Sequence, residues 1–136
     1  MTISSFQFTQ PLLTKANFEM RSPKEGAQPS VDLHLHRNII NIEGKNQALV
    51  ELIVQLNKKE NEEKEDAHFV CEVAMQSLFS WSEDISEEQA KSLLKINASS
   101  TLLSYIRPVV ASLTNMSPVP VYNIPYINML DDKEKD

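Results

Sequence analysis

The stretch His68-Phe-Val-Cys-Glu-Val-Ala-Met-Gln-Ser-Leu-Phe-Ser-Trp81 decides the fold. Side chains on a β-strand alternate between the two faces of a sheet. One face is apolar apart from Ser77, and its members are Phe69, Cys71, Val73, Met75 and Phe79. The alternate face mixes Val and Leu with one Glu and one Gln. Both faces are therefore expected to be covered to some degree, as in a central strand or in one that meets another subunit.

Length and composition set the outer limits. A chain of 136 residues predicts one domain over 1–136, with 131–136 as a frayed tail. The one cysteine has no partner for a disulfide, which suits a reducing, cytoplasmic compartment. The N-terminus lacks the features of a secretory signal, and no apolar run approaches the roughly 20 residues that span a bilayer. A net charge of −6 without a basic stripe argues against nucleic acid, and two glycines leave no glycine-rich phosphate loop.

Further strands follow from alternation and from turn residues. Pro11 interrupts the first extended segment and implies a bulge or a sheet edge. The charged connector from Lys58 to Asp66 predicts a solvated loop that closes a hairpin. The predicted strands before it are Phe6 to Phe8, Leu12 to Met20, Val31 to His36 with an irregular continuation, and Ala48 to Leu56.

The pattern changes to helix after Trp81. Ser86 is placed to cap a short helix that ends near Lys95, and the apolar stripe of Ser99 to Asn115 predicts a second helix. Three prolines then keep Val119 to Ile127 extended. Strands followed by helices predict the α+β class, with a four-stranded antiparallel sheet and helices packed on one face. The other face is left for a second subunit or a ligand.

The sequence offers little support for catalysis or for metal binding. His34 and His36 share a strand face with Asp32, but one short strand is poorly shaped to surround an ion, so we expect no metal. Apolar neighbours of Cys71 predict a raised thiol pKa and a packing role. No Ser/His/Asp arrangement and no dry carboxylate pair can be identified. We therefore expect no enzyme and no cofactor.

Large apolar side chains offer a different possibility, a partner surface. The alternative is that they fill the core, and the sequence leaves both open. These residues are Leu33, Leu35, Trp81, Tyr122, Tyr126 and Met129.

Several short motifs occur in a familiar order. They are Phe6-Gln-Phe8, Thr14-Lys15, Phe18-Glu19, Val31-Asp-Leu-His-Leu35, Phe69-Val-Cys-Glu-Val73, Tyr105-Ile-Arg107 and the proline-containing segment up to about Met129. On these motifs the chain resembles the SecB protein-export chaperones of bacteria. The resemblance implies a dimer of dimers (a homotetramer) that binds unfolded polypeptides in apolar grooves and hands them to the SecA motor.

The resemblance also assigns residues by position. Leu33 and Leu35 are implied to line the groove, with Trp81, Tyr122 and Tyr126 as further polypeptide-binding candidates. The oligomer interface is implied at Cys71, Val73 and Met75, and the SecA contact at Glu19, Val70 and Glu72.

Three departures bear on function. Ala16 stands where export members carry an acid, the Arg21 to Ser30 loop lacks the expected tryptophan, and the sequence stops soon after Leu130, where the family has a last helix. Three hypotheses follow. The first is an ATP-independent holdase that binds unfolded polypeptides, which could include preproteins for export. The second is a SecB-like chaperone dedicated to one partner, such as an antitoxin, and the third is an assembly or ligand-binding protein without chaperone activity.

Overall fold

The computed structural model describes residues 1–130, so the tail predicted at 131–136 lies outside the described residues. Ten elements follow one another along the chain. The strands are β1 Phe6–Phe8, β2 Leu12–Met20, β3 Leu33–Asn41, β4 Gln47–Leu56, β5 Lys58–Lys59, β6 Glu62–Glu63 and β7 Phe69–Trp81, and helix α1 Glu87–Leu93, a π-helical turn Leu94–Ala98 and helix α2 Ser99–Asn115 complete the order.

The main sheet is antiparallel, with β7 and β4 inside it. β7 pairs with β4 on one side and with β1 and then β2 on the other, while β3 pairs only with β4. Because β1 and β2 pair with successive parts of β7, they form one interrupted edge, and the sheet has four strand positions. The predicted α+β class, antiparallel sheet and central β7 are confirmed.

The β1–β2 edge is irregular, as Pro11 predicts. Pro11 is buried between the two strands, and the register of β2 on β7 shifts again between Leu13 and Lys15. Thr14, the residue at this bulge, donates its hydroxyl to the carbonyl of Ala74 at 3.1 Å. A bulge changes which residues face which side of a sheet. Beyond it, Ala16 lies opposite Val73, and Lys15 lies opposite Ala74.

One face of the sheet, here called the covered face, lies under α2. The buried alternation of β4 and β7 packs there against the apolar stripe of the helices. Members of this core are Ala48, Val50, Leu52, Val54, Leu56, Phe69, Cys71, Val73, Met75, Phe79, Leu94, Ala98, Leu102, Ile106 and Val110. The predicted helices are confirmed, but residues 94–98 form a π-helical turn between them, so the helical run is continuous from Glu87 to Asn115.

The opposite face, here called the open face, carries the half-exposed alternate residues of β4, such as Leu49 and Gln55. The connector predicted as a loop contains the small hairpin β5–β6. Gln55 holds this hairpin, because its side-chain oxygen accepts the Glu60 N–H at 2.9 Å and its side-chain nitrogen donates to the Glu60 carbonyl at 3.1 Å. No helix within residues 1–130 has the length and apolar character needed to cross a lipid bilayer.

Candidate functional site

A cavity of about 150 Å³ opens at the end of the sheet where β7 begins. Three segments converge on it: the loop before β3, the start of β7 and the extended segment after α2. Its lining is Pro29, Ser30, Val31, His68, Phe69, Val119, Pro120, Val121 and Tyr122. Most of these side chains are apolar, so the cavity suits an apolar side chain of a bound polypeptide.

Hydrogen bonds fix the walls of this cavity. The buried hydroxyl of Thr114 accepts the backbone N–H of Tyr122 at 2.9 Å and donates to the Val110 carbonyl at 3.0 Å. This contact folds the segment after α2 back along the helix. On the opposite wall, Nε2 of His68 lies 3.1 Å from the carbonyl oxygen of Ala27, which ties the loop before β3 to the start of β7.

The predicted polypeptide-binding residues Leu33, Leu35 and Tyr122 stand in different relations to this cavity. Leu33 and Leu35 lie on the covered face of edge strand β3, half-buried against the core. Val31, two residues before Leu33, lines the cavity together with Tyr122. Of the predicted polypeptide-binding residues, Tyr122 therefore lines the cavity itself, whereas Leu33 lies two residues beyond Val31 and outside the lining.

Trp81 lies elsewhere. It is ten residues beyond Cys71 on the same strand, roughly 33 Å away at the usual rise of a strand. There it packs against Phe6, with ring centroids 6.4 Å apart. Tyr126 is 92% exposed, and the guanidinium of Arg107 lies 4.9 Å from its ring centroid. The structure thus separates Trp81 from the cavity and leaves Tyr126 on the surface.

The three residues assigned to an oligomer interface are part of the chain's own core. Cys71, Val73 and Met75 are 2%, 0% and 7% exposed beneath α2. In the single chain α2 covers them, and their part in an oligomer interface stays a prediction. Burial, followed by the charge of Glu72, raises the pKa of the Cys71 thiol to about 11, which fits the predicted packing role.

The three residues assigned to a SecA contact share the open face. Glu19 of β2 pairs with Val70 of β7, and Glu72 lies two positions after Val70 along β7. Val70, however, is only 5% exposed. The Glu72 carboxylate is held by Lys15 at 2.8 Å and Lys58 at 3.4 Å.

The two lysines were missed by sequence reasoning, because only the register brings them to Glu72. Partial burial raises the pKa of Glu72, but hydrogen bonds from Lys15 and Gln55 outweigh this, so its pKa lies below the usual value. Ala16, which the resemblance matched to an acidic contact, lies on the covered face beside Val73. Lys15, one residue earlier, is the residue whose side chain lies on the open face with Glu72.

Within residues 1–130 no group of three His, Cys, Asp or Glu side chains is arranged to hold a metal ion. The two histidines of β3 point to the open face, where Nε2 of His36 lies 3.1 Å from the side-chain oxygen of Asn38.

The geometry defines a class: α+β proteins with an antiparallel sheet, one face under a long helix, the other open, and an apolar cavity at one end. Residues 6–131 match the SecB family, described as preprotein translocase subunit SecB, and the chain belongs to that family. A protein-export protein SecB from Anaplasma phagocytophilum (strain HZ) is 35% identical over 100 residues, covering 72% of this chain and 52% of that protein. The chain thus spans about half the length of that curated relative.

A solved structure agrees in fold. The Mycobacterium tuberculosis Rv1957 SecB-like chaperone, in complex with a ChAD peptide from the Rv1956 HigA1 antitoxin, matches with a TM-score of 0.70 and 19% identity. The match covers 91% of both chains. At this identity the likeness shows the shared fold.

Proposed function

We propose that this protein is an ATP-independent holdase that keeps polypeptides unfolded by binding their apolar segments, preproteins for export among them. The observation that carries the proposal is the apolar cavity between Val31, Phe69 and Tyr122 in a chain of the SecB family. Its volume of about 150 Å³ is roughly five times the share of one water molecule in the liquid, so it suits one side chain at a time. No step of this work requires an enzyme active site, a cofactor or a metal.

The test is the aggregation of a chemically unfolded client protein, followed by light scattering with this protein in several-fold excess. We expect the wild-type protein to delay aggregation and Tyr122→Ala or Leu33→Ala to delay it less. Ile40→Ala is the matched control, because Ile40 is an apolar residue, 58% exposed, on the open face. An undiminished aggregation rate with wild-type protein contradicts the proposal.

A chaperone dedicated to one partner is the second candidate. Two observations favour it: the SecB-like chaperone of similar fold was solved with an antitoxin peptide, and Lys15 neutralises the Glu72 carboxylate on the face implied to meet SecA. An affinity capture from the native cell followed by mass spectrometry distinguishes the two. One dominant partner supports dedication, and many unrelated unfolded chains support a general holdase. The third hypothesis, assembly or ligand binding without chaperone work, predicts that no unfolded client is protected.

Oligomeric state, SecA binding and location complete the proposal. We propose one SecB-like domain that assembles as a dimer or dimer of dimers in the cytoplasm, where its one buried cysteine remains a thiol. Sedimentation velocity reports the mass of the assembly directly. SecA contact, if made, uses the open face around Glu19, whose side chain is 54% exposed. SecA titration in the presence and absence of client decides whether that contact exists.

A further inference from the structure

Asn57, the residue directly after β4, has an unusual position. It is 1% exposed and its φ is 58°, in the left-handed region. Asparagine visits this region more readily than other residues with a Cβ, because its short side chain can bond locally. The chain therefore turns sharply off the sheet at Asn57 while the side chain stays inside it.

The carboxamide of Asn57 joins the two strands that flank β4. Its oxygen accepts the backbone N–H of Asp32 at 2.9 Å, and its nitrogen donates to the carbonyl of Phe69 at 2.9 Å. The backbone N–H of Asn57 also donates to the Asp32 carbonyl at 2.8 Å. One side chain thus continues the hydrogen bonding of the sheet beyond the ends of β3, β4 and β7.

The next segment braces the same wall from outside. The backbone N–H of Lys64 donates to the Asn57 carbonyl at 2.9 Å. The Lys64 ammonium then reaches the hydroxyl of Ser30 at 2.7 Å. Asp32 is thus held from the inside by Asn57, while Ser30, two residues earlier, is held from the outside by Lys64.

These anchors coincide with the walls of the cavity. Val31, on one wall, directly precedes Asp32, and Phe69, on the other wall, is itself a partner of Asn57. Asn57 does not line the cavity. We propose that Asn57 is a positioning residue for polypeptide binding: it sets the separation between the Val31 wall and the Phe69 wall. The inference rests on the proposed holdase function, since it concerns that cavity.

The experiment must separate this role from ordinary stabilisation by a buried, hydrogen-bonded asparagine. Asn57→Gly keeps the left-handed backbone accessible but removes both side-chain bonds. Asn57→Asp keeps the shape and the acceptor for Asp32, and in its ionised form it offers no donor to Phe69. The control is Ser77→Ala, at a buried serine eight residues beyond Phe69 along β7. It removes the hydrogen bond from the Ser77 hydroxyl to the Thr9 carbonyl at 2.6 Å.

Affinity is measured by fluorescence anisotropy with a fluorescein-labelled, unstructured peptide rich in Leu and Tyr, at a temperature well below the melting point of every variant. We expect both Asn57 variants to bind the peptide about tenfold more weakly, equivalent to about 1.4 kcal/mol of binding free energy. Ser77→Ala should bind the peptide as wild type does, even if its melting temperature falls as much as that of the Asn57 variants. If the Asn57 variants bind as tightly as wild type, or if Ser77→Ala weakens binding equally, the positioning role is overturned.

Tyr122→Ala distinguishes this failure from failure of the proposed function. If the wild-type protein binds no peptide, or Tyr122→Ala binds as wild type does, polypeptide binding at the cavity is wrong and the inference falls with it. If Tyr122→Ala weakens binding and the Asn57 variants do not, only the positioning role is wrong. Should Asn57→Gly fail to fold, Asn57→Asp alone decides the outcome.

Discussion

The Lys15 ammonium lies 2.8 Å from the Glu72 carboxylate and joins edge strand β2 to central strand β7 on the open face. Gln55 donates to the same carboxylate at 2.9 Å, and Lys58 lies 3.4 Å from it. An acid engaged by three neighbours is poorly available to a partner, because the partner would have to replace those contacts. Of the two acids implied to meet SecA, Glu19 is the more accessible, with a side chain that is 54% exposed against 13% for Glu72.

The first prediction concerns this competition. Lys15→Gln removes the closest cation from Glu72 and makes that carboxylate more available to a basic segment of the proposed partner SecA. We expect SecA affinity to rise by roughly threefold, since a partly exposed ion pair contributes about 0.6 kcal/mol. Surface plasmon resonance at low and high salt measures the change, with Lys59→Gln as the control at an exposed lysine of β5. Equal affinity of Lys15→Gln and wild type would show that Glu72 takes no part.

A second prediction is the pH dependence of stability. The pKa of Glu72 in the folded protein lies below its unfolded value, so the carboxylate contributes stability that is present above about pH 4.3 and is lost as the pH falls through the folded pKa. Urea unfolding between pH 7 and pH 3 measures this loss. Glu72→Gln should lose less stability over that range than wild type, because its amide does not titrate. Parallel curves for the two proteins would refute the assignment.

Cys71 provides the third prediction. The thiol is 2% exposed and its pKa is raised to about 11, so both access and thiolate formation are suppressed. We expect native protein at pH 8 to resist iodoacetamide and urea-unfolded protein to react at the rate of a free cysteine. Mass spectrometry of the alkylated chain measures the difference. Fast labelling of the native protein would show that the covered face opens.

The same shift predicts a loss of stability at high pH. The folded pKa lies above the unfolded value of about 8.5, so the neutral thiol contributes stability that is fully present below that pH. It is lost as the pH rises through the folded pKa of about 11. Cys71→Ala should remove this part of the pH dependence, although it also lowers stability at every pH by leaving a cavity.

The fourth prediction concerns Val73, which the resemblance assigns to the oligomer interface. Val73 is fully buried under α2, so Val73→Arg places an unpaired charge in the core and should unfold the chain rather than split an assembly. Val73→Ala should cost roughly 2 kcal/mol of unfolding free energy. Val121→Ala, the same change at a residue that is 43% exposed, should stay within about 0.5 kcal/mol of wild type. A folded Val73→Arg whose assembly has a reduced mass would contradict this prediction and support Val73 at an interface.

Much of the fold was predictable from local patterns. The alternation of β4 and β7, the interruption at Pro11 and the apolar stripe of α2 each reflect a period that a short segment carries by itself. The start of α1 was equally readable, because Ser86 and Gln89 form a capping box three residues apart. The order of the short motifs indicated the family, and the match to SecB from residue 6 to residue 131 confirms it.

The candidate site was predicted only in part. Of the polypeptide-binding candidates, Tyr122 lines the cavity, whereas Leu33 lies outside its lining, two residues beyond Val31. Trp81 lies at the far end of the sheet, because position along a strand fixes distance whatever the chemistry of the side chain. The β5–β6 hairpin was missed because strands of two residues are too short to show a period. The role of Asn57 was missed because no local pattern marks a side chain whose partners lie 25 and 12 residues away.

The sequence by itself determined the strands of the main sheet, the helices and the family, because backbone preferences and apolar periodicity act over a few neighbouring residues. Only the tertiary structure decided which face each functional candidate occupies. Beyond the bulge at Thr14, Ala16 lies on the covered face and Lys15 on the open face with Glu72, and the cover of α2 makes Cys71, Val73 and Met75 core residues. Strand register and burial under a helix arise from contacts between distant parts of the chain. Ion pairs and burial therefore cannot be predicted from neighbours in sequence.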